Sequence, residues 1–68
     1  MQNDYGVYKE LLDGTEEWMV SEDPLEFGSY SDAIDNLSFA EAAAIATYLT
    51  NLQGSEFKVG RPNDRHPS

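Results

Sequence analysis

The chain has 68 residues, a formal net charge of −9 at pH 7 and no cysteine. This length fits one small domain, which buries only about 60% of the surface that its unfolded chain exposes, and the lack of cysteine excludes disulfides and thiolate metal sites. Twelve of the thirteen carboxylates lie in residues 1–56, where Lys9 is the only base. This charge balance disfavours direct binding to nucleic acid and favours a basic partner.

The composition also bears on location and order. The start of the chain lacks the basic and apolar segments of a signal peptide, and no apolar run approaches the ~20 residues that span a membrane. We therefore expect a cytoplasmic protein that makes no membrane contact. Hydrophobic residues make up 40% of the chain, which is enough for a core. We expect one domain over residues 1–60 and a flexible tail over 61–68.

The first predicted element is a β-hairpin. Residues 5–12 and 15–21 favour β-structure and flank Asp13-Gly14, a strong signal for a two-residue turn. A two-residue turn at this position places Lys9 opposite Trp18 and makes Glu10 and Glu17 partners. A bulge would shift this register by one residue, and that alternative stays open.

The expected register divides the hairpin side chains between two faces. The face expected to pack on the core carries apolar side chains and the stem of one lysine, namely Val7, Lys9, Leu11, Trp18 and Val20. The other face carries Tyr8, Glu10, Leu12, Glu17 and Met19. We expect the Trp18 ring to pack against a helix, because one indole is a large share of the apolar surface available here.

An irregular connection is expected after the hairpin. Residues 21–32 mix turn formers with two aromatic residues and four acids, and Leu25, Phe27 and Tyr30 would anchor them. Residues 33–37 are either a short third strand or the approach to a helix.

The helix has clear start and stop signals. Ser38 followed by Glu41 predicts a capping box, and Gly54 predicts a stop after Gln53. An apolar stripe recurs at spacings of three and four residues, at Phe39, Ala42, Ile45, Ala46, Leu49 and Leu52. The opposite face is almost uncharged and carries Ala40, Ala44, Thr47, Tyr48 and Asn51. It is either an alanine-rich solvated face or a second packing surface, such as a homodimer contact.

Residues 55–60 predict a last strand with Phe57 and Val59 on one side. The fold class that follows is α+β, a small and mainly antiparallel sheet of three or four strands, in the order β-β-(β)-α-β, packed by one helix.

The most distinctive candidate site is a run of acids over the hairpin and the connection. Closely spaced carboxylates can imitate the phosphates of a nucleic acid, and a basic groove would bind them for the same electrostatic reason. The candidate partner-binding residues are Glu10, Asp13, Glu16, Glu17, Glu22, Asp23, Glu26, Asp32 and Asp35, together with Tyr30. The competing interpretation is a surface that serves solubility, although such surfaces usually intersperse both signs of charge.

Other chemistry has little support in the sequence. The acids do not follow the order of a calcium-binding loop, and nothing selects a catalytic pair among them. The single histidine, His66, lies in the expected tail, where no scaffold would position it. We expect no enzymatic activity, no metal and no cofactor. Tyr8, Tyr30 and Tyr48 are candidates for exposed contacts, with Met19 as a further contact residue.

A very short, cysteine-free and strongly acidic α+β sequence of this kind resembles the small phage-encoded inhibitors, which include anti-CRISPR proteins and uracil-DNA glycosylase inhibitors. The resemblance covers residues 1–56 through composition and predicted architecture. It implies that the protein blocks a nucleic-acid-binding protein in a bacterial cytoplasm, such as a CRISPR effector, as an acidic DNA mimic.

Two functions are therefore expected from the sequence. The first is an inhibitor whose carboxylates occupy the basic groove of a DNA-processing protein. The alternative is a small structural or assembly subunit that uses the weakly charged helix face to form an oligomer.

Overall fold

A computed structural model of the protein describes residues 3–65 and the side chains of residues 3–63. The strands are β1 (Gly6–Glu10), β2 (Glu16–Glu22), β3 (Leu25–Gly28) and β4 (Lys58–Gly60), and the helix is α1 (Phe39–Gln53). The strands form one four-stranded antiparallel sheet in the order β3-β2-β1-β4, and α1 covers one face of it. Short 3₁₀ turns lie at Tyr30–Asp32 and Pro62–Arg65. The α+β class predicted from the sequence is confirmed.

The β1–β2 hairpin has a three-residue loop. The Gly14 amide donates to the Leu11 carbonyl at 3.0 Å, and Gly14 has a φ of +89°. This is a tight turn followed by a left-handed glycine, a geometry that shifts the pairing by one residue from that of a two-residue turn. Tyr8 is opposite Trp18 and Glu10 is opposite Glu16. The predicted pairing of Lys9 with Trp18 is therefore wrong, and the shifted register is the one that forms.

This shift also overturns the predicted division of faces. Val7 and Met19 lie together under α1, in a core cluster completed by Leu37, Ala42, Ala46, Leu49 and Phe57. Trp18 is fully buried, but it lies on the opposite face of the sheet, where its ring stacks on Tyr8 with 4.5 Å between centroids. The expectation that Trp18 packs against the helix is wrong, whereas its role in packing is confirmed.

The Trp18 face is a second, smaller packed layer. A Cβ at Gly60 would lie 3.2 Å from the Trp18 ring, and a Cβ at Gly6 would lie 3.4 Å from it. These glycines leave the space that the indole fills. Pro62 is buried next to Gly6 and begins the turn at Pro62–Arg65. The predicted domain boundary after residue 60 therefore falls just before a turn that packs on the sheet. Residues 66–68 of the expected tail, which include His66, lie outside the described residues.

The third strand forms earlier in the chain than residues 33–37. Residues 25–28, predicted to be irregular, form β3 and pair with β2 across a bulge between Met19 and Ser21. The segment that follows joins both hairpin strands: Ile34 donates its amide to the Met19 carbonyl at 2.9 Å, and Leu37 exchanges two backbone hydrogen bonds with Tyr5.

The helix begins and ends as predicted. Ser38 and Glu41 form the capping box, and Gly54 ends α1 with a φ of +74°. Of the predicted apolar stripe, Ala42, Ala46 and Leu49 are buried. Phe39 and Leu52, at the two ends of the helix, are 59% and 61% exposed. Phe57 is buried just before β4. Within residues 3–65, no helix has both the length and the apolar character needed to cross a bilayer.

Candidate functional site

Seven of the nine predicted acidic residues form two groups at opposite ends of β2, and the other two, Asp32 and Asp35, lie on the connection after β3. Glu17 and Glu22 are five residues apart on this strand, which corresponds to roughly 16 Å. Glu10, Asp13, Glu16 and Glu17 lie near the β1–β2 loop, and we call them the hairpin acids. Glu22, Asp23 and Glu26 lie at the β2–β3 turn, and we call them the turn acids. The structure does not bring all the predicted residues into one patch.

Two of the hairpin acids are paired with lysine. Glu17 lies 3.8 Å from the Nζ of Lys9, and Glu10 forms an ion pair with Lys58. The hydrogen bond to Glu10 raises the pKa of Lys58 above its usual value. Glu10 and Glu16 are direct cross-strand partners, an arrangement that destabilises a sheet unless a cation offsets it. Lys58 supplies that cation.

The other two hairpin acids accept local hydrogen bonds. Glu16 accepts one from the Trp18 indole N–H at 3.3 Å. Asp13 accepts two from Thr15, from its amide at 3.0 Å and from its hydroxyl at 2.7 Å. These bonds lower the pKa of Asp13, because they favour the ionised carboxylate. The hairpin acids therefore serve the fold, which makes them weaker candidates for a partner.

The turn acids differ from the hairpin acids in their surroundings. They are exposed, and within residues 3–63 none of them forms an ion pair or a hydrogen bond with another side chain. Among the described side chains, each cation is already paired: Lys9 with Glu17, Lys58 with Glu10, and Arg61 with Asp4. Asp32 and Asp35 are likewise exposed, on the connection after β3. Five candidate acids that have no cation among the described side chains thus lie away from the hairpin loop, whereas Asp13 and Glu16 lie beside it.

The bulge in β2 determines where Glu22 points. Before the bulge Met19 is opposite Phe27, and after it Glu22 is opposite Leu25. Without the extra residue, alternation would place Glu22 on the Trp18 face. The bulge moves it to the helix face, beside Leu25.

There Glu22 borders a concave apolar surface between the β2–β3 turn and α1, which we call the apolar groove. Its volume is about 350 Å³. Its apolar lining consists of Met19, Leu25, Ile45, Tyr48, Leu49 and Leu52. Sequence reasoning missed this groove, because its two walls are some twenty residues apart in the chain. The one available signal was the presence of Leu25 and Leu52 in segments otherwise rich in polar residues.

The predicted aromatic contact residues have mixed outcomes. Tyr48 is 63% exposed at the groove, and Tyr30 is half-buried in the turn after β3. Tyr8 is buried against Trp18, and Met19 is fully buried, so the prediction that these two are exposed contacts is wrong. The residues on the weakly charged helix face are all exposed, namely Ala40, Ala44, Thr47, Tyr48 and Asn51.

No arrangement of three or more His, Asp or Glu residues in the described part of the chain is suited to hold a metal ion. The fold and the site together define a small acidic α+β domain with an apolar groove that Glu22 borders. Comparison with protein-family models, with curated proteins and with solved structures found no match to the chain.

Proposed function

We propose that this protein is a non-enzymatic inhibitor that binds the basic nucleic-acid-binding groove of a CRISPR effector or another DNA-processing protein in a bacterial cytoplasm. The observation that carries the proposal is the set of turn acids, Glu22, Asp23 and Glu26, which are exposed and have no cation among the described side chains. A partner that supplies Lys and Arg would neutralise them. In the proposed complex these carboxylates take the place of phosphates, as in the acidic inhibitors that the sequence resembles.

This mechanism has a kinetic signature. Long-range attraction between a domain of charge −9 and a basic groove speeds association, and salt screens that attraction. Contacts that exclude water then slow dissociation, and the exposed Tyr48 ring is placed to make one. Binding should therefore be fast and should weaken steeply as salt is added.

The first experiment identifies the target. The tagged domain is used to capture proteins from a bacterial lysate, with low-salt and then high-salt washes, and the bound proteins are identified by mass spectrometry. Recovery of a nucleic-acid enzyme that its own DNA or RNA displaces supports the proposal. Recovery of a salt-resistant partner without a nucleic-acid site contradicts it.

A charge-matched pair of variants then locates the contact. One variant carries Glu22→Gln, Asp23→Asn and Glu26→Gln. The control carries Glu10→Gln, Glu17→Gln and Glu56→Gln, and it loses the same charge near Lys9 and Lys58. We expect the first variant to lose inhibition of the captured enzyme at least about tenfold, and the control to lose much less, with both folded by circular dichroism. If both variants lost the same amount of inhibition, the net charge of the domain and not the position of the turn acids would determine binding.

The exposed, weakly charged helix face supports a second candidate, an assembly subunit. Size-exclusion chromatography with light scattering tests it, because this candidate requires a stable oligomer that Ala44→Glu breaks. A monomer at all concentrations would exclude a homo-oligomer built on this face.

A further inference from the structure

We propose that the apolar groove receives one or two large apolar side chains from a partner segment that carries Lys or Arg next to them. This inference deepens the proposed function and rests on it, since it describes the chemistry of the surface that the same target presents.

The first argument is the shape and composition of the groove. Its floor is made by Met19 and Leu49, which are 0% and 2% exposed, so the base of the groove consists of side chains packed in the core. Its edges are large apolar side chains that remain open to solvent: Leu25 is 37% exposed, Leu52 is 61% exposed and Tyr48 is 63% exposed. Isolated exposed leucines are ordinary on protein surfaces, whereas several around one concavity are typical of a contact site.

The volume restricts what the groove can hold. About 350 Å³ lies at the low end of the range for ligand pockets, roughly 300–1,000 Å³, and the groove is open on one side. A space of this size accommodates one or two large side chains of a protein that lies across it. The open side gives a polypeptide backbone room to pass over α1 and the β2–β3 turn.

The negative charge at the border of the groove favours a basic partner. Glu22 lies at this border and Asp23 follows in the turn, whereas Glu26 lies on β3, where alternation places it on the face opposite to Leu25. No cation lines the groove. A second copy of this chain would bring another charge of −9 to the same place, so electrostatic repulsion disfavours self-association here.

A basic segment avoids that repulsion. Lysine and arginine can lay their hydrocarbon stems over the exposed part of Leu25 while their charged ends reach Glu22. An apolar anchor with an adjacent cation is therefore complementary to this groove in both shape and charge. The bulge in β2 supports this assignment, because it brings Glu22 to the apolar side of the sheet.

Synthetic peptides test the proposal. Two lysine-rich peptides of equal length and charge are compared, one with leucines at regular intervals and one with serines in their place. A third peptide keeps the leucines and replaces each lysine with glutamate. Binding to the whole domain is measured by titration calorimetry, and its location by changes in backbone amide NMR shifts.

We expect the lysine–leucine peptide to bind at least about tenfold more tightly than the lysine–serine peptide, because burying a large apolar side chain is worth more than one factor of ten. We also expect the glutamate peptide not to bind, and the shifts to centre on Leu25, Tyr48 and Leu52. Leu52→Ser should remove the leucine advantage. Leu12→Ser is the matched control, since Leu12 is a fully exposed leucine near the β1–β2 loop, and it should change nothing.

Several results would overturn the proposal. These are equal binding of the leucine and serine peptides, shifts that centre elsewhere, binding of the glutamate peptide, or a dimer that Leu52→Ser dissociates. The peptide assay includes no nucleic-acid-binding protein, so its result does not depend on whether the domain inhibits a target. If the target is inhibited but the peptides do not bind, the groove assignment fails alone; if the peptides bind but no target is found, only the inhibitor function fails.

Discussion

Gly6 is the position where β1 has no room for a side chain. A Cβ there would lie 2.5 Å from the carbonyl oxygen of Ile34 and 3.2 Å from the Cγ of Pro62. The backbone at Ile34 cannot move away freely, because its amide is hydrogen-bonded to the Met19 carbonyl. One glycine therefore allows the connection before α1 and the turn after β4 to approach the same point of the sheet.

We predict that Gly6→Ala lowers the free energy of unfolding by about 2–3 kcal/mol, the cost of forcing atoms into a packed site. Urea denaturation followed by the fluorescence of Trp18, the only tryptophan, measures it. Gly28→Ala is the control: its Cβ would meet only the Val20 side chain, at 3.3 Å, and the loss should be smaller. Equal losses would show that the Ile34 contact is not the cause.

The elements differ in how far the sequence determines them. The helix was predicted with its ends, because the signals at Ser38, Glu41 and Gly54 are local. The hairpin was predicted, but its register was not, since Asp13-Gly14 fits both a two-residue and a three-residue loop. The choice depends on the backbone conformation of Asp13, because a two-residue type I′ turn needs a positive φ at both central residues and only Gly14 has one.

The candidate site was predicted less well than the fold. The predicted acidic residues are exposed except Glu16 and Glu17, which are half-buried, and charge alone could not separate the hairpin acids from the turn acids. That separation depends on where Lys9 and Lys58 lie, and Lys58 reaches Glu10 only because β4 pairs with β1. The apolar groove depends on a bulge and on contact between distant segments, which composition does not reveal.

At the scale of the helix, the capping box gives a direct prediction. Ser38 and Glu41 exchange two hydrogen bonds of 3.1 Å each, which satisfy amides at the helix start and its flank. Ser38→Ala removes one acceptor and should lower the free energy of unfolding by about 1 kcal/mol. Far-UV circular dichroism in a urea titration measures this change. Ser38→Thr keeps the acceptor, so its free energy of unfolding should fall clearly less. If it fell as much as that of Ser38→Ala, packing at this position and not the lost hydrogen bond would be the cause.

The whole molecule combines a charge of −9 with a radius of gyration of 11.2 Å. At 0.15 M salt the screening length is about 8 Å, so at lower salt carboxylates across the entire domain repel one another. The ion pairs that oppose this repulsion involve Lys9, Lys58 and Arg61, and because they are partly exposed, solvent and salt screen them. Repulsion between like charges should therefore dominate the salt dependence of stability.

We predict that the melting temperature rises when sodium chloride is added up to ~0.15 M, as measured by circular dichroism. The variant with Glu22→Gln, Asp23→Asn and Glu26→Gln carries three fewer charges. Its melting temperature without added salt should therefore be higher than that of the wild type, and added salt should raise it less. A melting temperature that falls with salt would mean that the ion pairs outweigh the repulsion. Salt should thus strengthen the fold while it weakens binding to a basic partner. Since the two effects have opposite signs, release of the partner at high salt cannot be attributed to unfolding of the domain.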